Sequence, residues 1–301
     1  MAKVCIIGSS EIVIHHIKAM MVNNIELYSI CSPRKNSINS LKLKKKFKIP
    51  YHYNDWKKCV KQSSREKDIF FLVCSRVQDS YRIIHYLVKR RLKVFAEKPL
   101  SLKINELKKL KKYKKLIFIG YNRIFYKSLN LLSNINIRNS HVNITCPEIS
   151  KQNFLINSCH IISIIIFLFP KIKLIKKIKN KNSIICLFKD NKNNLINFNV
   201  NFNCPTNFSI SIKTRILEIL LCPIEKMYIY KSLKLKKFKN LRYYEKVLNK
   251  KLNEHDTYNN KPGFSEQYKA FKKSVMINKK HKVTNIDFSL IIMNIAKKII
   301  S

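Results

Sequence analysis

The sequence predicts an α/β fold: an N-terminal series of alternating strands and helices on a parallel sheet, then an α+β part with a large, mostly antiparallel open sheet. Two observations predict it. Short, nearly continuous apolar runs alternate with helical patterns from Lys3 to Ile119, as expected for a parallel sheet covered on both faces. Beyond about residue 138 the texture changes to strict period-two alternation, the mark of a sheet with one wet face.

The strands read at residues 4–7, 26–30, 69–73, 93–96 and 115–119, with helical patterns at 12–22, 38–47, 80–90 and 104–113. In the second part, Ile196, Phe198, Val200 and Phe202 alternate with Asn197, Asn199, Asn201 and Asn203. Phe208, Ile210 and Ile212 alternate with Ser209, Ser211 and Lys213 in the same way. Residues 231–260 are lysine-rich and poorly periodic, which predicts an irregular insertion or surface arm. Helical patterns at 266–275 and 288–300 close the chain. The expected domains are residues 1–122 and 123–301, with the C-terminal helix able to pack back on the first.

A chain of 301 residues is long enough for two domains. Lysine and arginine total 61 against 17 acids, a formal charge of +44. Such an imbalance fits a polyanion partner. It fits an AT-rich coding sequence better, since Lys, Asn and Ile dominate throughout and three glycines remain, and then reads as a background that favours anionic substrates. The cations are spread along the chain and no nucleic-acid-binding motif accompanies them, so no specific nucleic-acid partner is expected. The nine cysteines include no Cys-x-x-Cys and several sit in apolar runs. That pattern predicts no metal site, no disulfide framework and a reducing compartment. The apolar run 161–169 is too short to span a bilayer. Met1-Ala2-Lys3 leads straight into a strand, so no signal peptide and a cytoplasmic location are expected.

Chemistry concentrates at Glu97-Lys98-Pro99, directly after the run Leu92-Lys93-Val94-Phe95-Ala96. A strand that ends in Lys-Pro delivers an ammonium at the carboxyl edge of the sheet, where open α/β sheets bind ligands. The next strand runs into Gly120-Tyr121-Asn122-Arg123. Together with Lys3-Val4-Cys5-Ile6-Ile7-Gly8, His160 in an apolar helix, and the closing Phe264-Ser265-Glu266-Gln267-Tyr268 through Phe271, these motifs resemble the Gfo/Idh/MocA family of NAD(P)-dependent oxidoreductases. The resemblance implies a nicotinamide-binding Rossmann domain followed by a mixed-sheet substrate domain. It also implies a substrate that is a sugar, cyclitol or nucleotide sugar.

Dinucleotide sites need a tight strand-to-helix turn that lets pyrophosphate reach backbone N–H groups. The corresponding stretch here, Gly8-Ser9-Ser10-Glu11-Ile12-Val13, keeps only the first glycine of G-x-G-x-x-G. After the second strand stands Cys31-Ser32-Pro33-Arg34-Lys35, with no acid for the ribose of NAD. A hydroxyl and two cations suit the 2′-phosphate of NADP. The same residues also read as ordinary surface cations. The expected cofactor is NAD(P), with NADP favoured. Ser75 stands where the family usually has a threonine beside the cofactor, and the resemblance puts Glu97 and Pro99 on the cofactor side.

Oxidising a secondary alcohol requires a base for its proton and a cation or donor for the developing alkoxide. The resemblance assigns the cation to Lys98 and the base to His160. It places Tyr121, Asn122, Arg123 and Asn157 on the substrate side, with Arg123 suited to an anionic or hydroxylated group. Family members usually carry Asp-x-x-x-His with a further Asp three residues on; here those positions are Ile156 and Ser163. His160 also reads as a histidine satisfied within an apolar helix, and His15 and His16 read as packing or surface residues. Two readings therefore stand: an oxidoreductase, and a catalytically weakened dinucleotide- or sugar-binding homologue. A homo-oligomer paired through the C-terminal sheet is expected in either case.

Overall fold

The computed structural model describes residues 1–34, 37–255, 260–276 and 284–301. The chain forms two compact units, Met1–Phe125 with Asp256–Asn294 and Tyr126–His255 with Ile295–Ser301. The segment after residue 255 thus returns to the N-terminal unit before the last helix crosses to the second.

The first unit contains β1 (Lys3–Ile7), α1 (Ile12–Val22), β2 (Glu26–Cys31), α2 (Ile38–Phe47), β3 (Tyr51–Tyr53), α3 (Trp56–Ser63), β4 (Ile69–Val73), α4 (Val77–Lys89), β5 (Val94–Ala96), α5 (Ile104–Leu110) and β6 (Ile117–Ile119). The strands are all parallel and ordered β3-β2-β1-β4-β5-β6. This is the doubly wound arrangement, whose ligand crevice lies where the strand order reverses, outside the carboxyl ends of the strands. All of β4 and β5 is buried, which explains their unbroken apolar sequence.

Two elements of this unit escape the periodicity. The strand β3 has three residues, and α3 is a polar helix started by Asp55, whose carboxylate accepts the Lys58 N–H at 2.7 Å. The helix α4 begins at Val77, earlier than expected, and the Ser80 hydroxyl bonds the Arg76 carbonyl in its first turn at 3.1 Å.

The second unit contains α6 (Lys127–Ser133), β7 (His141–Glu148), α7 (Lys151–Asn157), α8 (Cys159–Leu168), β8 (Lys173–Lys179), β9 (Ser183–Lys189), β10 (Leu195–Phe202), β11 (Ser209–Lys213), β12 (Glu218–Leu221), β13 (Lys226–Phe238) and β14 (Leu241–Asn253). Its eight strands are ordered β14-β13-β12-β11-β7-β10-β9-β8, antiparallel except for the β10–β7 pair. Ile196, Phe198 and Val200 are buried, and Phe154 of α7 meets Phe198 edge to face. The alternation thus marks a covered face and an open one. Among the described residues no single helix is long and apolar enough to cross a membrane.

Residues 231–253 are not irregular. They form the outer part of β13 and the whole of β14, one hairpin paired from Lys226↔Asn253 to Phe238↔Leu241. Both faces of that outer part are exposed, so no buried face imposed a period-two pattern. Residues 256–259 lie outside the described residues.

α9 (Phe264–Met276) belongs to the first unit, and α10 (Ile286–Ile300) runs across the division between Asn294 and Ile295. Phe264, Tyr268 and Phe271 join the core of the parallel sheet, where Tyr268 stacks on Phe95 with centroids 4.6 Å apart.

Three histidines of the first unit, His15, His52 and His85, are held below their ordinary value of 6.5, in each case chiefly by burial. Their folded values are depressed, so folding favours the neutral ring. The stabilisation is therefore present above pH 6.5 and is lost as pH falls through the folded values. The thermal midpoint of the protein should drop on acidification from about pH 7 to 5, starting above the carboxylate range. A flat midpoint across that window would contradict this assignment.

Candidate cofactor and catalytic site

The loops at the carboxyl ends of β1, β4, β5 and β6 are joined by main-chain hydrogen bonds. Gly8 N–H donates to Cys31 O and Cys74 N–H to Ile7 O, both at 2.9 Å. Glu97 N–H donates to Val73 O and Gly120 N–H to Ala96 O, again at 2.9 Å. Gly8 has φ +143°, and a Cβ there would lie 2.2 Å from the Cys74 carbonyl oxygen. The glycine that survives from the phosphate-loop pattern is therefore at the position where no side chain fits.

The other two positions of that pattern behave differently. Ser10 is exposed, and Val13 is completely buried in the core beside β1 and α1. Val13 thus packs into the helix–sheet contact as an ordinary core residue. Ser9 and Ser37 share a hydroxyl–hydroxyl bond of 3.1 Å, and Glu11 is exposed at the start of α1. Ser32 is buried and its hydroxyl accepts the Arg34 N–H at 3.3 Å, while the Arg34 side chain is exposed. Lys35 lies outside the described residues. Ser75 pairs its hydroxyl with Ser80 at 3.0 Å.

Glu97 is the first residue beyond β5. One carboxylate oxygen lies 3.0 Å from His16 Nε2, and the other accepts the Lys98 N–H at 3.2 Å. Lys98 is half-buried, and its peptide bond to the buried Pro99 is cis. Beyond β6, Tyr121 is buried, with its hydroxyl 2.7 Å from Ser289 and its ring edge-on to Phe288. Asn122 is buried and its amide donates to the Pro262 carbonyl at 3.0 Å. Arg123 is half-buried.

In the second unit His160 is half-buried in the first turn of α8. Ile156 lies in α7, and the two helices are bent by 52° at Ser158, so positions 156 and 160 do not share one straight helix. Ser163 donates its hydroxyl to the His160 carbonyl at 2.6 Å, and Asn157 is exposed. The bend rests on a buried carboxylate: Ser158 Oγ donates to Glu148 Oε1 at 2.5 Å and lies 3.1 Å from Cys146 Sγ. Burial pushes the Cys146 thiol well up.

Sequence reasoning misses Glu148 and reads His16 only as a packing or surface residue. Each had a signal. His16 falls on the buried stripe Val13, Ile17 and Met20 of α1, three residues after Val13. Glu148 shares strand parity with buried Val142, Ile144 and Cys146, so an acid was carried on the covered face.

Residues 2–117 match the model of an oxidoreductase family with an NAD-binding Rossmann fold. Through this segment the chain is similar to the Gfo/Idh/MocA oxidoreductase family. Solved structures similar to it include a dehydrogenase from Clostridium difficile, 16% identical, with TM-score 0.77 and 99% of this chain and 98% of that one covered. Another is UDP-N-acetylglucosamine 3-dehydrogenase from Acidithiobacillus ferrooxidans, 10% identical, with TM-score 0.73 and coverage of 99% and 96%. A third, from Sinorhizobium meliloti and assigned as a myo-inositol dehydrogenase, is 10% identical with TM-score 0.71 and coverage of 100% and 96%. At these identities the likeness shows a shared fold. None of the curated proteins compared matches the sequence.

The Gly8 geometry gives a direct test. Gly8→Ala should lower the unfolding free energy by roughly 2–3 kcal/mol, through backbone strain and the clash with Cys74. Urea denaturation of wild type and variant measures it, and a loss below about 0.5 kcal/mol would show that the Cys74 loop yields freely.

Proposed function

We propose that the chain is an NAD(P)-dependent oxidoreductase that transfers hydride to or from a CH–OH group of a sugar, cyclitol or nucleotide sugar. The observation that supports it best is the constellation at the strand ends of the first unit. There the glycine-only turn at Gly8, the Glu97-Lys98-Pro99 loop and Gly120-Tyr121-Asn122-Arg123 follow β1, β5 and β6 of one parallel sheet.

The residues present fit a dinucleotide. The tight turn at Gly8 leads from β1 straight into the start of α1, the place where dinucleotide sites put the pyrophosphate. Ser9 and Ser10 would line the phosphates. Ser32 and Arg34 would take a 2′-phosphate, the guanidinium by a fork of donors. Ser75, Glu97 and Pro99 would border the nicotinamide end, with the small Ser75 hydroxyl beside the ring. A bound nicotinamide supplies the hydride acceptor or donor.

In this reading the Lys98 ammonium hydrogen-bonds the reacting oxygen and stabilises the charge that develops on it. His160 takes the hydroxyl proton, a role suited to an imidazole near neutral pH. Arg123, with Tyr121, Asn122 and Asn157, contributes to holding the sugar-like substrate; Arg123 favours one that carries an anionic group. A homo-oligomer paired through the open face of the second sheet, in the cytoplasm, completes the proposal.

Thermal-shift scans with NAD, NADH, NADP and NADPH test the binding part, because a ligand of the native state raises its midpoint. NADPH or NADP should give the larger shift. Arg34→Ala should weaken NADP binding about tenfold or more and NAD binding far less, as expected for loss of one charge-assisted contact. Equal effects on both would leave Arg34 a solvated surface cation.

The catalytic part is tested by substitution. Lys98→Ala should lower kcat by roughly two to three orders of magnitude, with little change in cofactor affinity. His160→Ala should cost about two orders or more and remove the pH dependence near neutrality. The alternative, a homologue that binds without turnover, is favoured by Ile156 in place of a carboxylate and by the Ser163 hydroxyl bonding the His160 carbonyl. Dinucleotide binding without hydride transfer across panels of sugars and nucleotide sugars, before and after Ile156→Asp, would establish that alternative.

A further inference from the structure

We infer that His16 is a positioning residue: it fixes the Glu97 carboxylate, and through it the backbone of Lys98, by a relay that starts at Tyr268. This rests on the reading of Lys98 given above. The relay has three hydrogen bonds. Tyr268 Oη lies 2.9 Å from His16 Nδ1, His16 Nε2 lies 3.0 Å from Glu97 Oε1, and Glu97 Oε2 accepts the Lys98 N–H at 3.2 Å. It joins α9, α1 and the loop after β5, and all of its members lie in the first unit.

The donor directions follow from chemistry. A carboxylate only accepts, so the proton between His16 and Glu97 sits on Nε2. In the neutral ring Nδ1 is then an acceptor, and Tyr268 must donate to it. Tyr268 is completely buried, and burial pushes its phenol well above 10, which keeps the donating proton in place. The tautomer of His16 is thereby set from both ends.

Three further features hold the relay in register. His16 is fully buried and meets Phe95, Phe264 and Tyr268 by their edges, with centroids 5.6, 4.9 and 5.7 Å away. Its ring therefore has no room to swing. Glu97 is only 15% exposed at its side chain, turned inward. A Cβ at Gly120 would lie 3.0 Å from Glu97 Oε1, so the second of the chain's glycines leaves the space that the inward carboxylate occupies. A catalytic loop must be held within a fraction of an ångström by such supporting contacts, since loss of about 1 Å of placement costs about two orders of magnitude in rate. Lys98 is followed by proline, which has no N–H. The Lys98 amide is thus the last donor of the loop before that gap, and Glu97 is what holds it.

The test uses the full chain. Amide hydrogen exchange at Lys98, resolved by NMR, is compared between wild type and the variants His16→Phe, His16→Gln and Tyr268→Phe. Phenylalanine keeps the ring and loses both hydrogen bonds, whereas glutamine keeps a donor where Nε2 stands. Exchange at Lys98 should rise about tenfold in His16→Phe, the equivalent of one lost hydrogen bond, and return close to wild type in His16→Gln. In Tyr268→Phe it should rise about threefold, which keeps the inference testable if His16→Phe does not fold. Unchanged exchange at Lys98 in the folded variants, or a rise matched by amides of β2, would overturn it.

With a dinucleotide and substrate that wild type turns over, His16→Phe should lower kcat about tenfold and change cofactor affinity less than about threefold. Equal losses in both would also overturn it, because His16 would then be a packing residue. A wild-type protein that binds no dinucleotide would remove the proposed function and leave the exchange experiment to decide the positioning role by itself.

Discussion

The approach of Gly8 to the Cys74 carbonyl governs the first unit. A parallel sheet brings the carboxyl ends of β1 and β4 side by side, and the order β3-β2-β1-β4-β5-β6 makes that pair the point where the connections diverge. The chain leaves β1 with no side chain between it and the next loop, because a Cβ would sit 2.2 Å from the Cys74 oxygen. Of the three glycine positions in the G-x-G-x-x-G pattern, the one that is glycine here is the one where a side chain is sterically excluded.

The second constraint is that the N-terminal unit is finished by residues far away in sequence. Tyr268 and Phe271 of α9 pack on Phe95 and Phe118, and Tyr268 also supplies a hydroxyl to His16. Aromatic pairs of this geometry contribute about 0.5–1.5 kcal/mol each beyond the area they bury. The cluster therefore couples stability of the sheet to placement of the Glu97-Lys98-Pro99 loop. A change in α9 would act on this edge of the sheet although no residue of α9 belongs to it by sequence.

The second unit departs from the Gfo/Idh/MocA pattern that the first unit resembles. An apolar Ile156 stands where a carboxylate is usual, and the bend at Ser158 separates it from His160. The acid of this region is Glu148, buried beneath the bend and bonded to Ser158. Its carboxylate holds the junction of α7 and α8, so it sets where α8 begins and with it the backbone of His160.

By itself the sequence determined the succession of strands and helices, the contrast between a parallel and an open antiparallel sheet, and the motifs at residues 97–99 and 120–123. These are local or periodic signals, carried by apolar runs, strand parity and rare residues such as glycine and proline. It did not reveal β3 and α3, which are short or polar, nor the regular hairpin of β13 and β14, whose outer strands bury no face. It also left His16 looking like packing and Glu97 like a cofactor neighbour. Only the tertiary structure decided that they bond one another, and that Tyr268 completes the relay. Hydrogen bonds between residues 81 and 252 positions apart leave no periodic trace, because they depend on chain crossings that no local pattern encodes.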